Sequence, residues 1–78
     1  MLKFKLIKNN DAEIQYAYYP EGKSDFGIVS YNKDTEEYSI VMLSEKDKHQ
    51  TYAWKMISRL RKYVEAGTFK EEGMVAWY

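Results

Sequence analysis

The chain has 78 residues, 45% of them hydrophobic and 17% aromatic, and it contains no cysteine. That composition is too apolar for a disordered segment, and it excludes disulfides and thiolate metal sites. Twelve Lys and Arg balance twelve Asp and Glu, so net charge points neither to a polyanion nor to a membrane surface.

The length predicts a single domain over residues 1–78. A domain of this size buries only about 60% of its unfolded surface, which leaves a small core that a partner chain often supplements. No apolar run approaches the ~20 residues that span a bilayer. The opening MLKFKLIKNN interleaves its lysines with its hydrophobes, unlike a signal peptide, where they come first. A soluble cytoplasmic protein with no membrane contact is expected.

LKFKLIK, residues 2–8, alternates apolar and basic side chains, the period of a strand. Asn9, Asn10 and Asp11 form a turn cluster, and EIQYAYY, residues 13–19, alternates again; the two runs predict a hairpin. PEGKSD, residues 20–25, holds the only proline and reads as a loop. FGIVSY (26–31) and EYSIVML (37–43), separated by Asn-Lys-Asp-Thr, predict a second hairpin. Short loops between four consecutive strands favour an antiparallel meander, since parallel pairs need long crossovers.

After Leu43 the period changes. Ser44-x-x-Asp47 has the form of a capping box, and Asp47 is also a candidate N-cap. Ala53, Met56, Ile57, Leu60, Tyr63 and Val64 recur every three or four residues, one face of a helix predicted over 48–66. Gly67 supplies its stop. The terminal GMVAWY reads as a short fifth strand. The expected fold is α+β: a four-stranded antiparallel meander, one C-terminal amphipathic helix on one face, and a short terminal strand.

One helix covers one face of such a sheet. Taking each strand in the phase of its first apolar residue, Leu2, Phe4, Leu6, Ile14, Tyr16, Tyr18, Phe26, Ile28, Tyr38, Ile40 and Met42 fall on the covered side. The other side then carries Ile7, Ala17, Tyr19, Val29, Tyr31, Val41 and Leu43 among polar residues, more apolar than a solvated face normally is. Strands 3 and 4 are apolar on both sides, so a register slip leaves this conclusion standing. The second face is therefore expected to contact a second copy of the chain, as a homodimer, or another protein, through Tyr19, Val29, Tyr31, Val41, Trp77 and Tyr78.

Catalytic signals are weak. Ser44, Asp47 and His49 are close in sequence, but neighbours two apart on a helix do not face each other. Glu36-Glu37 and Glu71-Glu72 sit beside turns as solubilising charge, and no glycine-rich phosphate loop is present. No enzyme activity, cofactor or metal is expected. The alternative to a protein-interaction module is nucleic-acid or regulatory binding through the basic run KMISRLRK, with Lys55, Arg59 and Lys62 as phosphate contacts. In size and in its strand-rich first half the chain resembles small bacterial antitoxin-like and mobile-element accessory proteins. No motif carries that likeness, so it implies no site.

Overall fold

The computed structural model describes residues 2–21 and 24–75. Five strands and one helix follow in order: β1 (Leu2–Asn9), β2 (Glu13–Pro20), β3 (Gly27–Asn32), β4 (Glu37–Met42), α1 (Thr51–Ala66) and β5 (Glu72–Val75). The sheet order is β4-β3-β2-β1-β5, and every neighbouring pair is antiparallel. This is the expected α+β architecture, a four-strand meander extended by a C-terminal strand on its β1 edge. Among the described residues no helix is long and apolar enough to cross a membrane.

Asparagine keys both hairpins. Asn10 Oδ1 accepts the amides of Ala12 and Glu13 at 2.8 and 2.9 Å, and Asn32 Oδ1 accepts those of Asp34 and Thr35 at 2.9 and 3.0 Å. A short side-chain carbonyl reaching two and three residues ahead closes the turn before the strands zip. Lys33 then ties the two turns together, donating its backbone N–H to Ala12 O at 2.9 Å and its Nζ to Asn9 Oδ1 at 3.2 Å.

The covered face holds Leu2, Phe4, Ile14, Tyr16, Tyr18, Val29 and Tyr31, all buried, against Ala53, Met56, Ile57 and Leu60 of α1. Here the strand phases differ from those expected. Tyr16 pairs with Val29, Ile14 with Tyr31, and Tyr18 with Gly27, so Val29 and Tyr31 belong to the core and Phe26 and Ile28 to the opposite side. A bulge at Val41 then shifts the end of β4: Val29 pairs with Ile40 but Ile28 with Met42. One extra residue reverses the side on which Met42 lies.

Two glycines admit rings. A Cβ on Gly27 would overlap the Tyr18 ring, and one on Gly73 would lie 2.8 Å from Phe4 Cζ. Phe4 packs edge-on against Tyr16, with centroids 5.6 Å apart, and Tyr63 of α1 completes the cluster at 6.2 and 5.9 Å. Tyr16 donates its hydroxyl proton to Lys70 O at 2.6 Å. That bond holds the segment after the helix where Leu6 N can donate to Glu71 O at 2.6 Å, which starts β5 on the edge of β1.

Gly27→Ala forces the Tyr18 ring off its seat and is expected to cost about 1–3 kcal/mol in urea unfolding. Gly67→Ala, with nothing within 4 Å but a φ of +72°, should cost only the roughly 1 kcal/mol of a left-handed backbone. Burial, with Tyr63 nearby, pushes the Tyr16 phenol up to about 12 from 10.0. The raised value favours the protonated native state. Its contribution is complete below pH 10 and disappears as pH rises from 10 towards 12. Stability measured by circular dichroism should fall across that interval, and Tyr16→Phe should show a shallower fall from a lower neutral-pH starting point.

Candidate functional site

The sheet has one open face, and its two ends differ. At the polar end Lys8 Nζ pairs with Glu13 Oε1 at 2.6 Å, and Glu13 Oε2 accepts from Gln15 Nε2 at 3.3 Å and from Ser30 Oγ at 3.4 Å. The Lys8 ammonium is the main cause that holds the Glu13 carboxyl below its usual range. A bulge at Ile7 makes this possible, because it brings Lys8 opposite Gln15.

The other end is apolar. Tyr19 packs on Phe26 with the rings tilted by 41° and centroids 5.5 Å apart. Lys3 lies between Tyr19 and Met74 in adjacent strands, and Ala17 lies between Lys5 and Ile28, with Met42 beyond. Phe26 is 39% exposed, Met42 42% and Met74 51%. An open concavity of about 730 Å³ lies on the β1–β5 side, with Lys3, Lys5, Tyr19, Ser24, Glu72 and Met74 in its lining. Lys5 faces Glu72 across the β1–β5 pairing, and Lys3 stands between Met74 and the Tyr19–Phe26 pair.

The residues expected to form an interface do not come together as a group. Tyr19 lies half-buried on the open face, and Val41 is exposed at the β4 bulge. Val29 and Tyr31 are buried under α1, which corrects their expected place; cross-strand register, not alternation within one strand, fixes their side. Trp77 and Tyr78 lie outside the described residues. Phe26, Ile28, Met42 and Met74 occupy the open face in their stead. Alternation marked these four as apolar, but it carried no phase relative to β2.

Lys55, Arg59 and Lys62 run along the outer surface of α1 at spacings of four and three. Lys55 and Lys62 are exposed and Arg59 is half-buried. The helix has no acid in its first turn, and its first acid is Glu65.

Ser44, Asp47 and His49 have separate surroundings. Asp47 is buried and accepts the amides of Tyr52 at 3.0 Å and Ala53 at 2.8 Å. It thereby caps α1 from four residues before Thr51. Residues 48–50 are a turn ending in Gln50 at φ 60° with no side-chain cap, so the helix begins three residues later than expected. Tyr18 bridges this corner to the sheet, accepting from Ser44 N at 3.2 Å and donating to Asp47 Oδ2 at 3.5 Å. Ser44 Oγ donates to Asp25, whose Oδ2 also accepts from Lys46 N at 3.1 Å. These bonds, Ser44 first, hold the Asp25 carboxyl below its usual range. His49 is exposed. Among the described residues no group of three or more His, Cys, Asp or Glu side chains converges to hold a metal ion.

Comparison with protein-family models, curated proteins and solved structures finds no match to this chain.

The Asp47 cap makes a sharp test of the corner. Asp47→Ala leaves the Tyr52 and Ala53 amides without this carboxylate and is expected to cost about 2 kcal/mol, read as a lower urea midpoint. Asp47→Asn keeps one acceptor and should lose less. Equal losses would mean that packing alone holds the helix start.

Proposed function

We propose that the chain is a non-catalytic interaction module of the cytoplasm that binds another protein through the apolar end of its open sheet face. The contrast between the two ends carries this reading. At the polar end Lys8, Glu13, Gln15 and Ser30 satisfy one another, as a solvated surface does. At the other end Phe26, Met42 and Met74 remain exposed around the Tyr19–Phe26 pair. Clustered exposed apolar side chains with lysine among them favour a protein contact. Met and aromatic side chains suit that role, since they offer large apolar area and adapt to a partner's shape.

One observation favours a second reading. Lys55, Arg59 and Lys62 form a continuous cationic stripe on the outer surface of α1, and such a stripe suits phosphate contact.

Salt separates the two. Met74→Lys together with Phe26→Ser should abolish partner retention in affinity capture while leaving the melting temperature near that of the parent, because both side chains lie outside the covered core. Retention by the parent should persist at high salt. If instead the chain binds a fluorescent single-stranded oligonucleotide, and Lys55→Glu with Lys62→Glu removes that binding, the helix reading replaces the first. Phosphate binding would fall by roughly one log unit per log unit of salt for each phosphate contacted.

A further inference from the structure

The strand at the outer edge of the sheet is unprotected. β4 is the terminal strand of the sheet, with sequence EYSIVM. Natural edges are usually blunted by lysine, proline or an inward charge. β4 has no lysine or proline, and its only charge is Glu37 at its start. Three of the seven exposed large hydrophobics among the described residues lie along the end of this strand, Val41, Met42 and Leu43, with Met42 turned to the open face, and a fourth, Trp54, is on the helix.

The flank of α1 that faces this edge is fixed by one contact. Arg61 Cζ lies 5.3 Å from the centroid of the Tyr38 ring in β4, and Glu65 is close enough to act on the Tyr38 phenol. Trp54 is seven residues before Arg61, two helical turns, and so projects from the same flank. The opposite flank carries Tyr63, which packs on Phe4 and Tyr16. Trp54 is 55% exposed, and its indole N–H donates to Gln50 Oε1 at 3.3 Å. Edge strand and helix flank therefore border one shelf, with Tyr38 and Ile40 half-buried along it.

We propose that this shelf is where a second copy of the chain docks, with β4 paired antiparallel to the partner's β4 about a two-fold axis at Ser39. The occupant follows from self-complementarity. A continuous sheet requires paired residues on the same side, so positions of like parity must meet. The bulge at Val41 reverses Met42, which rules out centring on Ile40, because Tyr38 would then meet the partner's Met42 from the wrong side. Centring on Ser39 sets Tyr38 opposite the partner's Ile40, an aromatic and β-branched pair of the kind that stabilises antiparallel sheets. The same axis runs the two helices antiparallel across the shelf. Trp54 of one copy then comes opposite Arg61 of the other, twice, as a cation and an indole. An isologous contact of this kind uses one patch on both copies and closes at two. The open faces of the two sheets end up on one side, so the dimer presents two copies of the open-face patch to its surroundings. The dimer interface adjoins that patch at Met42, which lies on the open face at the end of β4.

Light scattering on the full chain at concentrations up to about 1 mM is expected to give twice the 9.3 kDa chain mass, unchanged by salt. Ser39→Pro at the edge should return the mass to that of one chain. Because Ser39→Pro can also disturb β4, Trp54→Ala and Arg61→Glu provide a second route on an exposed helix flank, and each should weaken the dimer at least tenfold with the far-ultraviolet spectrum unchanged. Amide exchange across residues 37–42 should slow with rising concentration in the parent and not in these variants. Met74→Lys should leave the mass doubled. A single-chain mass throughout, or a dimer indifferent to Trp54→Ala and Arg61→Glu, would overturn the proposal. So would a dimer lost on Met74→Lys, which would move self-association to the open face.

Discussion

The Tyr18 side chain is where sheet and helix are joined. Its ring lies over Gly27, its hydroxyl oxygen accepts the Ser44 amide, and its proton reaches towards Asp47, whose carboxylate holds the first amides of α1. A buried carboxylate is costly unless every lone pair has a use. Here the helix N-terminus supplies both donors and a favourable dipole. The helix start is thus tied to a side chain of β2 through a residue outside the helix. Without it, Gln50 in a left-handed conformation with no cap would be a poor place to begin a helix.

The other end of the helix is held by different means. Gly67 terminates it in the left-handed conformation, with its amide shared between the Tyr63 and Val64 carbonyls. The Phe4–Tyr16–Tyr63 cluster and the Tyr16 hydroxyl then catch the chain as it returns to β1. The hydrogen bonds at Tyr18 and Tyr16 both anchor backbone outside the sheet while their rings fill the core. Phenylalanine would serve the packing alone. The high tyrosine content of this chain is in this respect a device for tying loops to a core too small to hold them by burial.

Much of this was legible in the residues. Strand positions, both hairpins, the helix and its glycine stop followed from period and turn chemistry, because those signals are local. The helix start was misplaced because Asp47 has the residue type of a cap and performs a cap's bonding, but from outside the helix through an intervening turn. The side occupied by Val29, Tyr31, Phe26 and Ile28 was not legible, because β3 is apolar on both sides and its phase is set by the fit of Gly27 under Tyr18. The bulges at Ile7 and Val41 were equally invisible in alternation, yet one assembles the Lys8–Glu13 pair and the other turns Met42 to the open face. The open face is apolar at one end only, and the residues there differ from those expected.

That exchange of residues matters for function. Val29 and Tyr31 are consumed by the fold, so a surface built on them would compete with stability. Phe26, Met42 and Met74 contribute little to the covered core, and the polar cluster around Glu13 confines them to one end of the sheet. The chain therefore separates the side chains that hold α1 from those left outside. A residue such as Tyr38 lies on the boundary: stacked on Tyr31 at 4.8 Å within, beneath Arg61 without, it reports from the core to the edge. The β4 edge therefore borders residues that also hold α1, through Tyr38 between Tyr31 and Arg61, whereas Met74 pairs with Lys3 of β1 and lies on the side away from the helix.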